Sequence, residues 1–299
     1  MSIGRIAVYL APGEQLAPMY LLYFICDRWR EAGIDVVLLD DPDQRVDADV
    51  ALIHVDATHR PPAYEAVVAH YPRVINSRVR DISKRRVSAQ LATRFSDYDG
   101  PVIVKTNRNS FGHPEQRTGA RRGTGRTLST RLLDRLLPAM SRIRGAGAYP
   151  VYPSLRDVPA SIWWDRRLVV EKFLPERDGE LYCLRNWTFF GDRELVTRSF
   201  AESPVVKRST MLRYEVLDEV PDAIRVARQR LGFDYGKFDF VIHNGEAILL
   251  DTNATPGCSG QRNEKLEAFA EDLAGGLASL VGVRTRPVVQ SGEVPLIQL

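Results

Sequence analysis

A β-hairpin predicted near the end of the chain, in residues 235–260, constrains the fold more than any other segment. Residues 238–242 are apolar and rich in strand-forming side chains, Asn244-Gly245 supplies a turn, and residues 246–252 return. Polar residues interrupt both strands, and these are Lys237, Asp239, Asp251 and Asn253.

The length of the loop decides whether these polar side chains meet. A loop of two residues would place the two aspartates on opposite faces of the hairpin. We predict a loop of three residues, 243–245, with its glycine in the left-handed region. That register places Lys237 opposite Asp251, with Asp239 one pair away and Asn253 on the same face.

Two carboxylates and a carboxamide beside a lysine form a surface of oxygen donors. Mg²⁺ prefers such donors and completes its shell with water and nucleotide phosphates. The alternative is a hairpin with polar strand ends, whose aspartates pair with Lys237 or cap a helix. The hairpin alone leaves both interpretations open.

The composition is that of an ordinary globular protein. Of the 299 residues, 44% are hydrophobic and 26% are charged, and the net charge of +3 implies no polyelectrolyte partner. The three cysteines are far apart, which predicts a reducing, cytoplasmic setting. No signal peptide or membrane-spanning run is expected, and the Walker A, GxSxG and GxGxxG motifs are absent.

The first part of the chain alternates strands and helices. Strands are predicted at residues 5–10, 35–39, 48–55 and 73–75, and helices at 16–32 and 61–71. This alternation predicts a small parallel α/β unit in residues 1–78. Since the unit has no glycine-rich phosphate loop, we expect it to shape a substrate pocket rather than to bind nucleotide.

Two lysines follow this unit. A helix predicted at residues 81–93 carries Lys84, and a strand at residues 101–105 ends in Lys105. A lysine at the end of a buried-type strand requires an anionic partner, unless the strand passes into solvent there. The polar loop at residues 106–112 could fold over phosphates.

An arginine-rich segment comes next, with Arg117, Arg121, Arg122 and Arg126. It is either a loop that closes over a triphosphate or an acidic substrate, a contact for nucleic acid, or a solvated loop. Phe111 is its one neighbouring aromatic residue, which argues against single-strand binding. A helix is predicted at residues 128–137.

The second half begins with a strand at residues 168–174 that stops at Pro175. A charged turn at residues 176–179 follows, and such a non-helical connector offers backbone groups that could read the edge of an adenine. Further elements are predicted by β-rich or amphipathic patterns, namely strands at 181–190 and 194–201 and helices at 220–231 and 261–281.

The order of these parts resembles the ATP-grasp superfamily of carboxylate–amine ligases, which includes D-alanine–D-alanine ligase and RimK-type ligases. The resemblance covers residues 75–282 and is most specific in K-F-D-F … L-D-T-N-A-T-P-G. It implies an α/β (α+β) fold with nucleotide between two α+β subdomains, residues 79–174 and 175–284. A preATP-grasp domain, residues 1–78, would precede them, and residues 285–299 would form a tail.

The resemblance also implies a nucleotide site. Lys84 and Lys105 would contact the phosphates of ATP, and Glu180 would hold the ribose hydroxyls. The adenine hinge would be formed by Glu171, Lys172, Phe173 and Leu174.

The same resemblance implies the metal site and the catalytic residues. Asp239, Asp251 and Asn253 would bind one or two Mg²⁺ ions, with Mn²⁺ as a substitute. Lys237 stands where relatives often carry an arginine, and it keeps the charge but not the bidentate fork. Arg185 would face an acyl phosphate.

The implied reaction is ADP-forming ligation of a small-molecule carboxylate to an amine through an acyl phosphate. The implied partners are those two substrates and a second copy of the chain in a homodimer, with no membrane or nucleic acid. The alternatives are a phosphotransferase on the same fold acting on a hydroxyl, and a non-catalytic ATP-binding module.

Overall fold

The computed structural model describes residues 3–112, 143 and 149–282, and these form three sheets. The arginine-rich residues 117–126, the predicted helix at 128–137 and the tail at 285–299 lie outside the described residues. No helix among the described residues is long and apolar enough to cross a membrane.

The first sheet is parallel and is formed by the N-terminal part of the chain. Its order is β2-β1-β3-β4, with β1 (Arg5–Tyr9), β2 (Asp35–Leu39), β3 (Val50–Ile53) and β4 (Val74–Ile75). The connecting helices are α1 (Leu21–Glu31) and α2 (Glu65–His70). Their alternation confirms the parallel α/β unit predicted from the sequence.

The second sheet has three antiparallel strands. Helix α3 (Lys84–Val87) leads into it, and its order is β6-β5-β7, with β5 (Val102–Thr106), β6 (Val151–Tyr152) and β7 (Leu168–Lys172). The short helix α4 (Ala160–Trp164) packs on β7.

The helix predicted at residues 81–93 is wrong in its length, because α3 ends at Val87. The chain that follows runs beside β7 instead. The amide of Ala92 donates to the carbonyl of Val170 at 2.8 Å, and the amide of Lys172 donates to the carbonyl of Gln90 at 2.9 Å. These backbone groups bond to a strand, so they cannot also close helical turns.

The third sheet is antiparallel and contains the predicted hairpin. Its path is β11-β10-β9-β12-β13, and β8 pairs with β9 off that path. The strands are β8 (Glu176–Asp178), β9 (Leu181–Phe190), β10 (Arg193–Ala201), β11 (Arg213–Leu217), β12 (Tyr235–His243) and β13 (Glu246–Asn253). The charged turn predicted at residues 176–179 is therefore mostly strand β8.

Helices cover the third sheet, namely α5 (Asp222–Leu231), α6 (Glu264–Gly275) and α7 (Leu277–Val281). The single helix predicted at residues 261–281 is wrong, because it divides at Gly276. A Cβ atom at position 276 would lie 1.9 Å from the carbonyl oxygen of Phe190, so only glycine permits this approach of the helices to β9.

One apolar core joins the two ends of the chain. It contains residues of β1 and α1 together with Phe190, Leu266, Phe269 and Leu273. The indole nitrogen of Trp29 donates to the carbonyl of Ala274 at 3.1 Å. The parallel sheet and the third sheet are thus packed through α1 and α6.

Asn76 forms a second link between the same two parts. It is 1% exposed and has a φ of 62°, which non-glycine residues rarely adopt. Its side chain accepts from the amides of Asp234 and Tyr235, each at 3.0 Å, and donates to the carbonyl of Tyr235 at 2.9 Å. Its own amide donates to the Asp234 carboxylate at 2.7 Å.

Candidate active site

The hairpin brings the predicted polar residues together, but its turn and its register differ from the predicted ones. The three-residue loop is wrong, because His243 pairs with Glu246 around a two-residue turn. Asn244 and Gly245 have φ values of 51° and 83°, as that turn type requires. An irregularity at Leu250 then shifts the register, since Phe240 pairs with Leu249 while Asp239 pairs with Asp251.

The bulge at Leu250 returns the two aspartates to one face of the hairpin, which a two-residue loop alone would prevent. A regular ladder would place Asp239 and Asp251 on opposite faces, but the extra residue Leu250 puts them directly opposite each other. Lys237 lies opposite Asn253 rather than opposite Asp251 as predicted. All four polar residues therefore share one face.

The contacts of the two carboxylates leave part of each available. Oδ1 of Asp239 accepts from the Asn186 amide at 2.6 Å and lies 3.2 Å from the Lys237 ammonium. Oδ1 of Asp251 accepts from Lys84 at 3.0 Å and from the amide of Thr252 at 2.9 Å. Among the described residues, all hydrogen bonds to these two side chains end on Oδ1.

The donor set fits a hard divalent cation such as Mg²⁺. Asp239, Asp251 and the carboxamide of Asn253 offer oxygen atoms, and the two Oδ2 atoms carry no hydrogen bond within the described part of the chain. Oδ1 of Asn253 accepts from the amide and the hydroxyl of Thr255 at 2.8 and 3.2 Å. Two carboxylates suffice for Mg²⁺, which keeps water and phosphate as its other ligands. The described residues contain no cluster of three His, Cys, Asp or Glu side chains, so a metal held by protein carboxylates, thiolates or imidazoles alone is not supported there.

Lys84 is a buried cation that reaches this face from α3. It is 2% exposed, and its ammonium also donates to Oδ1 of Asn109 at 3.1 Å. Burial lowers the pKa of Lys84, but the nearby groups of Asp251, Tyr149 and Glu171 outweigh it and raise the pKa above its ordinary value. Lys84 is therefore charged at neutral pH.

Lys105 has the anionic partner that its position requires. Its ammonium lies 2.7 Å from Oε2 of Glu171, which is 1% exposed. The two residues are on neighbouring strands, β5 and β7, and point to the same face of the second sheet. The other oxygen of Glu171, Oε1, is buried without a hydrogen-bond partner among the described residues.

The predicted hinge follows the end of β7. The amide of Lys172 is bonded to Gln90, and the amide of Phe173 donates to the carbonyl of Pro101 at 2.8 Å. The amide of Leu174 has no hydrogen bond within the described residues, so it remains available to a ligand. Glu171 lies before this connector, with its side chain turned to Lys105.

Three cavities surround the polar face. The hinge cleft, of about 150 Å³, lies between the second sheet and the hairpin. It is lined by Lys84 and Lys105, by the hinge residues Lys172, Phe173 and Leu174, and by the hairpin residues Asp239, Leu250 and Asp251.

The other two cavities also border Asp239. The inner cavity, of about 90 Å³, is lined by the four polar hairpin residues and by Asp56 and Thr58 of the N-terminal part. The outer chamber, of about 370 Å³, lies between β9, β10, α1 and the connection from β10 to β11. Asp239 lines all three cavities, and Lys237 lines the inner cavity and the outer chamber.

Three predicted residues are not among the described residues that line these cavities, and the first of them, Glu171, is turned to Lys105. Glu180 is fully exposed at the turn between β8 and β9, where Arg177 lies 3.8 Å away. Arg185 forms hydrogen bonds of 2.8–3.0 Å with the buried carboxylate of Glu176. Their ribose and acyl-phosphate roles stay predictions.

Several polar residues at the site were not singled out by the sequence. Asn109 donates to the carbonyl of Thr252 at 2.8 Å, and its amide donates to Thr58 at 3.0 Å, so it joins three parts of the chain. Asn186 holds Asp239, and burial raises the pKa of Tyr149 in the hinge cleft. The polar loop at residues 106–112 was the one signal for Asn109; Asn186 and Tyr149 had none.

No protein-family model matches the chain, and no curated protein matches it. Solved structures match its fold over nearly the whole length. D-alanine–D-alanine ligase from Bacillus anthracis has 12% identity and a TM-score of 0.47, and the match covers 94% of this chain and 97% of that chain. The chain is similar to ATP-grasp ligases.

Two further structures illustrate this ATP-grasp likeness. A RimK domain ATP-grasp protein from Sphaerobacter thermophilus has 13% identity and a TM-score of 0.44, covering 92% of this chain and 99% of that one. A RiPP-associated ATP-grasp ligase from Chryseobacterium gregarium, in complex with ADP and a leader and core peptide, has 9% identity and a TM-score of 0.45, covering 91% and 97%. At these values the likeness assigns no role to any residue.

Proposed function

We propose that this chain is an ATP- and Mg²⁺-dependent ligase that joins a carboxylate to an amine and releases ADP and phosphate. The observation that carries the proposal is the position of Asp239, a residue that lines three adjoining cavities. A ligation with three substrates needs three approaches to one point. A phosphotransferase needs only two.

The hinge cleft is the proposed nucleotide site. The amide of Leu174 would bind the adenine edge, while Lys84 and Lys105 would bind the phosphates at the other end. Both lysines are now paired with carboxylates, Asp251 and Glu171. A polyanion entering the cleft would share or replace those partners, and the buried setting strengthens each contact.

Asp239, Asp251 and Asn253 would hold the metal. When bound, Mg²⁺ neutralises charge on the phosphoryl group that is transferred. Lys237 would also neutralise negative charge. It lines both the inner cavity and the outer chamber, and its ammonium would hold a substrate oxygen beside Asp239.

The chemistry needs no protein nucleophile. A carboxylate oxygen of the substrate attacks the terminal phosphorus of ATP, ADP leaves, and an acyl phosphate forms. The amine then attacks the carbonyl carbon and gives up a proton to solvent, the bond to the phosphate oxygen breaks, and phosphate departs. The cations of the site lower the barrier by neutralising charge and by holding the reactants in line.

Coupled ADP release tests the proposal. The chain is incubated with ATP and Mg²⁺ and with pooled acids alone, pooled amines alone, or both, and products are identified by mass spectrometry. We expect ADP release that requires both pools and an amide product. ADP release with a hydroxyl compound alone, together with a stable phosphoester, would identify a phosphotransferase instead. Nucleotide binding without turnover on any pool would identify a binding module.

A further inference from the structure

The outer chamber combines cationic side chains at its two ends. Lys237 lies at the inner end beside Asp239, and Lys207 and Arg208 lie on the connection between β10 and β11. Among the described residues that line the chamber, Asp239 is the one carboxylate, and it is paired with Lys237 at 3.2 Å, so it does not offset the charge of Arg208. The chamber therefore attracts anions.

The wall between the two cationic ends is largely apolar. Leu21 of α1, Phe269 of α6 and Met211 line one side, and hydroxyl groups such as Thr188 and Ser199 line the sheet side. At about 370 Å³ the chamber has the size of a small-molecule site, with a few placed polar groups in a mostly apolar wall.

Cys258 shows that the charge of Arg208 acts inside the chamber. Both residues line it. Burial raises the pKa of the Cys258 thiol, while a hydrogen bond from the backbone of Gly260 and, to a smaller extent, the positive charge of Arg208 lower it. Arg208 has no ion pair with another described residue.

We propose that the outer chamber binds the carboxylate substrate, and that this substrate is a dianion with an apolar body. One carboxylate lies at Lys237, where it is activated, the body packs along Leu21 and Met211, and the second anionic group lies at Lys207 and Arg208. This rests on the proposed function, and it makes Arg208 the residue that selects for the second negative charge.

Cys258 is a reporter for the charge of the chamber. The other two cysteines of the chain, Cys26 and Cys183, are buried, so alkylation is directed to Cys258. Iodoacetate carries a negative charge and iodoacetamide carries none. The ratio of their rates removes the effect of the thiol pKa, because both reagents need the same thiolate.

We expect the Arg208→Glu variant to lower the ratio of the iodoacetate rate to the iodoacetamide rate by about tenfold. Arg230→Glu is the matched control, since it makes the same charge change on α5, outside the chamber, where salt screens it. An unchanged ratio in Arg208→Glu would overturn the proposed role of Arg208.

Protection of Cys258 tests the class of substrate. We expect octanedioate to slow alkylation at concentrations where octanoate and 1,8-diaminooctane do not, and Arg208→Ala to weaken its protection by roughly ten- to a hundred-fold. Equal protection by octanoate would overturn the proposal that the substrate is a dianion. So would the absence of Arg208-dependent protection by any dicarboxylate of four to ten carbons.

The two proposals fail separately. Alkylation needs neither ATP nor turnover, so an anion-selective chamber in a chain without ligase activity would contradict only the proposed function. Ligase activity on acids with a single charge, with Cys258 protected by those same acids, would contradict only the dianion.

Discussion

Of the lysines that line the hinge cleft, Lys84 and Lys105 are each held by a carboxylate. Lys84 is paired with Asp251, and Lys105 is paired with the buried Glu171. A buried ion pair adds little net stability, but the loss of one partner leaves an uncompensated charge. Stability and nucleotide binding are thus coupled at these residues, and a variant must separate them.

Lys105→Met should weaken ATP binding about tenfold or more, because a charge-assisted contact to phosphate is lost. It should also lower the free energy of unfolding by about 3–5 kcal/mol, since Glu171 stays buried without its cation. Calorimetry with ATP and urea unfolding measure the two effects.

The double variant Lys105→Met/Glu171→Gln is the matched control. It removes both charges, so it should recover much of the stability without recovering ATP affinity. If the single variant binds ATP as the wild type does, Lys105 does not belong to the phosphate site.

Asp251→Asn and Asn253→Ala should each reduce ADP production about a hundredfold or more, because each removes a proposed metal ligand. Both should stay folded by circular dichroism, although Asp251→Asn removes the anionic partner of the buried Lys84 and Asn253→Ala loses the 2.8 Å bond from the amide of Thr255. Asp218→Asn, an exposed position, controls for the loss of one acidic group. Near wild-type ADP production in either site variant would contradict the metal assignment.

His54 is a buried histidine at the end of β3. Its ring lies edge-on to Tyr20 and stacks on Tyr235, and neither ring nitrogen has a hydrogen-bond partner among the described residues. Burial lowers its pKa to about 3. The unfolded chain, with a pKa of about 6.5, binds a proton first as the pH falls. Stability contributed by neutral His54 is therefore complete above that pH and is lost between about pH 6.5 and 3.

His54→Phe should flatten this acid dependence. It keeps a ring against Tyr20 but cannot take up a proton. At pH 5 the wild type should have lost about 2 kcal/mol more of its free energy of unfolding, relative to pH 7.5, than the variant. Urea unfolding between pH 4.5 and 7.5 measures the difference. The control variant His70→Gln, at an exposed position, should show the same pH dependence of the unfolding free energy as the wild type. If the wild type and His54→Phe show parallel pH dependences, His54 is not the group that causes the loss of stability in acid.

At the scale of elements, the hairpin shows what a sequence can predict. Asn244-Gly245 and the flanking apolar runs locate the turn and both strands, because positive φ values and strand propensity are local properties. The bulge at Leu250 has no local signal. Leu250 follows another leucine, and its place in the register and in the lining of the hinge cleft appears only in the folded structure.

The same limit explains the other errors. The sequence of residues 88–93 permits a helix, and only the nearby edge of β7 turns it into extended chain. The polar residues predicted at the site were recognised by type and order, which the fold preserves. Strand β8 lies where a charged turn is predicted, because residues 176–178 pair with β9. The role of Arg185 stays a prediction, and its guanidinium is bound to Glu176 of β8.

Two glycines allow strain and crowding to be measured separately. Gly245 has a φ of 83°, and a Cβ atom added there would meet no other atom within 4 Å, so Gly245→Ala should cost about 1–2 kcal/mol of stability from backbone conformation alone. Gly276 has an ordinary φ of −65° but no space for a side chain. Gly276→Ala should therefore cost more than Gly245→Ala in urea unfolding, and the reverse order would contradict the close contact with β9.

At the scale of the whole molecule, Asn76 and the shared core join the N-terminal sheet to the third sheet. Asn76→Ala removes three side-chain hydrogen bonds and leaves buried backbone groups unpaired, so it should lower the free energy of unfolding by about 3 kcal/mol or more. Asn263→Ala, which removes a single helix cap, should cost about 1 kcal/mol. Equal losses in urea unfolding would contradict a joining role for Asn76.

The hydrogen bond between Trp29 and Ala274 has a consequence for biosynthesis. Its two residues are 245 positions apart in the chain. A ribosome adding 5–20 residues per second leaves α1 waiting on the order of ten to fifty seconds for α6 to emerge. During that interval the N-terminal sheet presents an apolar flank that α6 has not yet covered.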